Sequence, residues 1–424
     1  MASASLRLAM TVHPNRRSFI AASATVVLAG PAILARAGGR RTAGDAKALL
    51  EQTIAYLRSQ QDKKSGGWAV AEQGPTFPAI TGLVLNGMLG HPGVSETDAD
   101  VAAGIRFILS KQQPDGGIYD RITPTYNTSI CLATLCRVSQ PPEVAEARKK
   151  ALAFLRTLQW GEEAKPVEGT GDPIQVVTKD HPFYGGVGYG RHGRPDLSNT
   201  AFFAEALHAS GVDPSDAAFQ RTMVFLQRTQ MLATMKNAAG ETVPVNDLAF
   251  AKGSRQGGFV YSTSLNKDER GMGETNAGMI EETLDDGTVA SRLRCYGSMT
   301  YSGFKSYLYA GLKKDDPRVV AARGWIERNY TLDENPGVGT DGLYYYYVVF
   351  ARAMAAFGSP TVNAALPDGT TAQRRWADDL TAKLASLQQP DGSFKIVDDR
   401  WMENNPVLIA AYAANALASV LASA

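Results

Sequence analysis

One phrase recurs about six times along this chain, and it limits what the chain can fold into. An amphipathic helix ends in Leu-x-x-Gln-Gln, a glycine-rich turn with an aromatic follows, and an apolar helix of small residues comes next. The first copy is Leu57, Gln60, Gln61 and Gly66-Gly67-Trp68. The second is Gln112-Gln113-Pro114-Asp115-Gly116-Gly117 with Tyr119 behind it, and the last is Leu387-Gln388-Gln389-Pro390-Asp391-Gly392-Ser393-Phe394. Weaker copies place Leu158-Gln159 with Gly185-Gly186 and Tyr189, Gln227 to Gln230 with Gly257-Gly258-Phe259, and Asn329-Tyr330 with Gly342-Leu343-Tyr344. A helical hairpin cannot bury its apolar face alone, so repetition at this spacing forces stacking of hairpin on hairpin.

The helices alternate in kind. Ala46, Leu49, Leu50, Ile54 and Leu57 recur at helical spacing, as do Trp376, Leu380, Leu384 and Leu387, with charges on the opposite face. The partner helices are apolar nearly all round, as in 80–89, 129–136, 200–207, 302–312, 345–357 and 406–421. One set belongs outside with a wet face and the other inside, buried on every side. Six such pairs predict an all-α fold, an (α/α)6 toroid, with 45–424 as one domain. Both end repeats carry well-formed motifs and no polar caps, which favours a closed ring over an open solenoid. Three segments break the rhythm: 161–181, 231–256 and 262–293. The third is acidic, with Glu274, Glu281, Glu282, Asp285 and Asp286, and should overhang one end of the ring, as a lid or as a solvated insertion.

Residues 1–37 read as a leader. Asn15-Arg16-Arg17-Ser18-Phe19-Ile20 is a twin-arginine pattern, Ala21 to Leu34 is mildly apolar, and Ala35-Arg36-Ala37 offers a cleavage site; 38–44 is a short linker. The expected location is therefore the periplasm or beyond, reached by the twin-arginine (Tat) route. No later stretch reads as a transmembrane span. Formal net charge is +1, and the leader's four arginines and no acid account for more than that, so no polyanion footprint for nucleic acid remains. Three cysteines, Cys131, Cys136 and Cys295, without Cys-x-x-Cys spacing argue against a disulfide framework or a cysteine-rich zinc site, and no cofactor is expected.

Gln-to-aromatic turns on a six-hairpin ring resemble the prenyltransferase and squalene oxidase repeat, the "QW" repeat of the terpenoid cyclase and protein prenyltransferase superfamily. The resemblance spans nearly all of 45–424. It implies that Gln61, Trp68, Gln113, Tyr119, Gln389 and Phe394 are structural, the Gln capping a helix end against the aromatic. Squalene-hopene-type cyclases carry Asp-x-Asp-Asp-Thr-Ala at an inner-helix start. This chain has Asp196-Leu197-Ser198-Asn199-Thr200-Ala201, which keeps the frame and replaces two acids. A hydroxyl or amide cannot supply the proton that breaks a C=C bond. The same Asp196 and Ser198 also make a helix N-cap. The zinc site of protein prenyltransferases is similarly reduced: Leu293-Arg294-Cys295-Tyr296 keeps Cys and Tyr, the last inner helix starts at Trp401-Met402-Glu403 without a histidine, and no metal site is expected. His181 and His192 flank Gly185-Gly186 as surface-loop histidines.

The inner-helix starts converge on one end of the ring. Asp196, Ser198 and Asn199 are the candidate catalytic residues. Tyr126, Asn127, Thr200, Tyr296, Ser298, Tyr301, Tyr344, Trp401 and Asn404 are the candidate binding residues of an aromatic, amide-rich rim around an apolar cavity. Aromatic faces suit a carbocation, a sugar ring or a plain apolar ligand. The resemblance implies a polyisoprenoid or other hydrophobic small molecule, with peripheral membrane contact compatible. The alternatives are a non-catalytic toroid binding a lipid, glycan or protein, and a carbohydrate-active (α/α)6 enzyme using carboxylates such as Asp196 and Glu403.

Overall fold

The computed structural model describes residues 43–69, 76–162, 164, 176–190, 194–264, 271–284 and 286–424. The leader and His192 lie outside the described residues. Among the described residues, twelve α-helices form an (α/α)6 toroid. The outer helices are α1 (Ala43–Ser59), α3 (Ala99–Ser110), α5 (Glu143–Thr157), α7 (Ala217–Thr229), α9 (Pro317–Arg328) and α11 (Trp376–Leu387). The inner ones are α2 (Pro78–Met88), α4 (Pro124–Leu135), α6 (Leu197–Ala209), α8 (Gly297–Tyr309), α10 (Leu343–Phe357) and α12 (Pro406–Ala422). Each inner helix packs on the next, and α12 packs on α2 to close the ring. Every residue of α2 is buried, as a helix apolar on all sides must be. The inner helices α2, α4, α6 and α8 begin two to five residues before their apolar runs do. Their first turns hold Thr, Asn and Ser, whose work is structural, and hydrophobicity alone under-reads them.

All inner helices run the same way. Their N-termini, joined to the outer helices by the long turns, form one end of the ring, here called the mouth; the other end, the base, is closed mostly by short turns. Among the described residues, three two-stranded antiparallel hairpins decorate this frame: β1 (Thr234–Lys236) with β2 (Thr242–Pro244), β3 (Met279–Thr283) with β4 (Val289–Leu293), and β5 (Val362–Ala365) with β6 (Thr371–Arg374). The first two fall in the segments where the repeat rhythm breaks. The third follows α10 in a turn the repeat pattern did not mark. No described helix is long and apolar enough to cross a membrane.

The repeat is a hydrogen-bonded tie. Gln61 Nε2 donates to Gly66 O in its own turn (2.8 Å) and to Asp100 O at the start of the next outer helix (2.8 Å). Gln112 does the same with Gly116 O and Ala147 O, Gln159 with Gly185 O and Ala218 O, and Gln230 with Gly257 O and Arg318 O. The last copy crosses the seam, since Gln388 Nε2 reaches Leu49 O of α1 at 2.9 Å. The turn glycine is obligatory. At Gly185 (φ 84°) and Gly392 (φ 86°) a Cβ would stand 1.8 Å from Arg221 O and 2.2 Å from Gln52 O. A threonine of the inner helix completes the unit: Thr81, Thr128, Thr200 and Thr300 Oγ1 each accept from the backbone N–H of Trp68, Ile118, Val187 and Phe259.

This geometry corrects the register of two copies. The gripping amide is Gln112, not Gln113, and Gln388, not Gln389, because four residues, not three, are needed to span the Pro-Asp-Gly turn. Gln113 bonds within its own turn, to Lys111 O and Tyr119 O, and Gln389 is exposed. The buried slot of the second copy holds Ile118, while Tyr119 stacks outside on Phe154 at 5.7 Å. The copy at Asn329 lacks the tie, its Nδ2 bonding Trp325 O of its own helix.

A hydrogen bond contributes about 1 kcal/mol net, and an orphaned buried acceptor costs about 1–3 kcal/mol. Gln230 is fully buried and also accepts from Tyr307 Oη at 2.9 Å. Gln230→Leu should therefore lower unfolding free energy by about 3 kcal/mol or more. Gln389→Leu, one residue past the equivalent grip, should cost under about 1 kcal/mol. Urea denaturation of the two variants side by side checks the register.

Candidate functional site at the mouth

Asp196 and Glu403 are the carboxylates at the inner-helix starts, and both are 1% exposed. Asp196 caps α6: Oδ1 accepts from Asn199 N and Oδ2 from Asn199 Nδ2, each at 2.8 Å. Glu403 reaches from the turn before α12 to cap α10, accepting from Tyr344 N (3.0 Å) and Tyr345 N (2.8 Å). Burial pushes Asp196 up to about 6 and Glu403 up to about 7, against the N–H bonds that favour the charged forms. A third carboxylate, Glu274, comes from the insertion between α7 and α8. It pairs with Arg194 and is raised by burial, with a further push from Asp196. Backbone pairing of Tyr261 with Glu274, and of Leu197 N with Tyr261 O, holds this strip against the start of α6.

Four aromatic rings from four inner helices close the axis below the mouth. Tyr126 (α4) meets Phe202 (α6) edge-on at 5.1 Å, Phe202 meets Tyr345 (α10) at 6.2 Å, and Tyr345 meets Tyr412 (α12) at 5.9 Å. Tyr412 Oη returns to Tyr126 Oη at 3.5 Å, and Ser198 Oγ lies 3.1 Å from Tyr345 Oη. Tyr126, Ser198 and Tyr345 are half-buried and form the floor of the mouth. Beneath it, the gap between Ser129, Phe202, Glu205 and Arg352 is too tight for a water molecule. The base is plugged by charge. Glu205 pairs with Lys305 and with Arg352 (2.7 Å), and Arg352 Nη2 donates to Asn415 Oδ1 (2.6 Å). Burial pushes Glu205 up, but Arg352 and Lys305 outweigh it and hold its carboxyl at about 2.

The expected open cavity is thus replaced, at this level of the axis, by a sealed floor. Of the candidate residues, the structure brings Tyr126 and Ser198 together on that floor. Trp401, 43% exposed with φ 54°, and exposed Asn404 stand on the rim by α12, where Trp401 lies against Gly342. The other candidate binding residues are not available to a ligand, because the frame uses them. Asn127 ties Ala79 N and the 122–123 turn, Thr200 serves the repeat, and Ser298 is held by Asn335. Tyr296 Oη accepts from Asn276, Tyr301 packs on Tyr346 and Phe350, and Tyr344 Oη donates to Lys395 O. His181 packs against Trp160 and Phe183.

Sequence reasoning passed over Phe202, Tyr412 and the base plug. The signal was present, since Glu205, Lys305 and Arg352 are isolated charges in otherwise apolar inner helices. Tyr189, 47% exposed, is the second rim aromatic; its carbonyl accepts from Thr125 N, which places it between the starts of α4 and α6.

No protein-family profile and no curated protein matches the sequence. Among solved structures, the α-1,6-mannanase GH76A of Salegentibacter sp. HEL1_6, an inactive variant bound to α-1,6-mannotriose, superposes with a TM-score of 0.53 at 8% identity, covering 89% of this chain and 99% of that one. The mannanase without that ligand gives 0.53 at 8% identity, over 88% and 99%. The type II terpene cyclase MstE from Scytonema scores 0.47 at 12% identity, over 88% of this chain and 98% of that one. At these identities the mannanase shares the toroid fold and nothing finer, and the cyclase score is too low to carry an argument.

The raised carboxyls set the sign of a pH effect. A carboxyl with a folded-state pKa above its unfolded value binds its proton more tightly when folded. Stability is therefore greatest below the unfolded value and falls as pH rises through the folded one. For Asp196 and Glu403 the window runs from about 4 to about 7. His208, pushed down by burial, acts with the opposite sign. The Glu403 effect is on the order of 3 kcal/mol. Glu403→Gln should flatten the loss of thermal midpoint between pH 5 and pH 8 relative to the parent chain. Parallel slopes for the two proteins in a calorimetric pH series would contradict this.

Proposed function

We propose that this chain is an exported, non-catalytic toroid that holds a glycan across its mouth. The observation that carries the reading is the sealed aromatic floor. With Tyr126, Phe202, Tyr345 and Tyr412 in mutual contact and a charged plug beneath, a long apolar chain finds no channel along this axis. What the mouth offers is surface: the hydroxyls of Tyr126, Ser198 and Tyr345 below, the exposed faces of Tyr189 and Trp401 at the rim, and the amide of Asn404. Aromatic faces with hydroxyl and amide donors suit the apolar faces and hydroxyls of sugar rings. The mouth carboxylates support binding over chemistry. Asp196 and Glu403 are spent as buried helix caps, and Glu274 is paired with Arg194, so none of these three acids, the mouth carboxylates among the described residues, is free over the floor.

A second reading keeps the QW-repeat superfamily's chemistry, with an isoprenoid or other lipid lying on the rim. It draws on the exposed apolar side chains of Ile122, Trp401 and Met402. Export by the twin-arginine route belongs to both readings and rests on the Arg16-Arg17 leader alone.

Trp401 reports on the choice, because the other four tryptophans are buried. Titration of the mature chain with neutral oligosaccharides should shift tryptophan emission saturably. Trp401→Ala should abolish the signal, and Tyr189→Ala should weaken affinity by about tenfold, a loss of about 1.4 kcal/mol. A response to polyisoprenol-containing vesicles and none to any oligosaccharide would replace the first reading with the second.

A further inference from the structure

Four base turns are short, at 89–98, 136–142, 210–216 and 310–316, but the turn at 358–375 carries the β5–β6 hairpin. The hairpin does more than connect. Val362 and Ala364 point inward and β5 packs on α9, while Trp376 Nε1 bonds Ser359 O to anchor its root. Between hairpin, α9 and α10 lies a cavity of about 120 Å³. Its floor is apolar, from Phe304, Ile326, Met354 and Phe357, and its opening carries Arg323, its partner Glu327 and the carboxamide of Gln373.

The guanidinium at the opening is only partly committed. Arg323 spends only Nε, on Glu327 at 3.1 Å, and its terminal amino groups make no hydrogen bond among the described residues. Its guanidinium sits 5.9 Å from the centre of the Phe357 ring, and Lys314 Nζ sits 5.0 Å from the same ring. Lys314 has no ion pair among the described residues. Two cations therefore lie within 6 Å of one aromatic ring. A guanidinium with both terminal groups uncommitted is shaped for the two oxygens of a carboxylate. A cavity of ~150 Å³ accepts benzene, so this one fits a body of about that size or slightly smaller.

We infer that the β5–β6 hairpin builds a binding site for a small organic carboxylate, its apolar body on Phe304 and Phe357 and its carboxylate on Arg323. The site is at the base and is independent of any ligand at the mouth. Neutral isosteres should bind worse, because they leave the terminal amino groups of Arg323 without a charged acceptor.

Benzoate is the probe, followed by methyl NMR on the mature chain with Ile, Val and Met labelled. The expected result is saturable shifts at Ile326, Met354 and Val362, with benzyl alcohol at least about tenfold weaker. Arg323→Met, at a side chain nearly half exposed, should leave the melting curve in place and weaken benzoate by about tenfold. Gln373→Ala, on the exposed strand, serves as a second variant and should weaken binding a few-fold. Three results would overturn the assignment: no saturable shift at these methyls at ~10 mM benzoate, where a Kd of 1 mM would be saturated; equal affinity for benzyl alcohol; or Arg323→Met binding like the parent.

Discussion

The carboxamide of one glutamine in five of the six repeats is the interaction on which the ring depends. Its two N–H bonds join different things: one closes the glycine turn that reverses the chain, the other holds the neighbouring outer helix in register. The glycine must approach the next helix so closely that no side chain fits, and the inner-helix threonine fixes the turn from the other side. Local turn geometry and long-range helix spacing are therefore set by the same few atoms. The copy at Asn329 shows how the ring tolerates one missing tie. Tyr330 Oη there bonds Asp379 of α11, and Asn335 ties Ser298 to the turn before α10.

Six parallel inner helices give the ring a polarity that its charges follow. The helix N-termini at the mouth carry partial positive charge and are capped by Asp196 and Glu403, whereas at the base the C-termini meet Lys305 and Arg352, which also hold Glu205. This explains why the acids at the mouth are buried without countercharges of their own, Glu274 excepted. Within the segment 196–201, Asp196 and Thr200 are positions the architecture itself uses, one as cap and one as turn anchor, and the Asn199 carboxamide completes the cap.

The architecture was legible because a repeat states its constraint several times. Hairpin count, the inner and outer assignment and ring closure all follow from periodicity. Register within the Gln-Gln pair was not legible, since the two residues differ only in how many bonds the following turn spans. The site was harder still. Tyr, Asn, Ser and Thr at inner-helix starts look like ligand contacts in sequence, yet Asn127 and Tyr344 are consumed by backbone groups of neighbouring elements and Ser298 by the Asn335 carboxamide, which no local pattern reveals. Tyr126 and Ser198 differ from them only in facing the axis. Whether four aromatic rings meet or leave a hole depends on side-chain reach across the ring, a distance absent from the sequence.

The tie from Gln388 to Leu49 makes the seam between the last and first repeats like the other glutamine-tied joints. The first outer helix begins at the base and the last inner helix ends there, and α1 packs on α12. Mechanically, then, the ring has no first repeat. Joining the two ends and opening a short base turn such as 210–216 would give a circular permutant with all its ties intact.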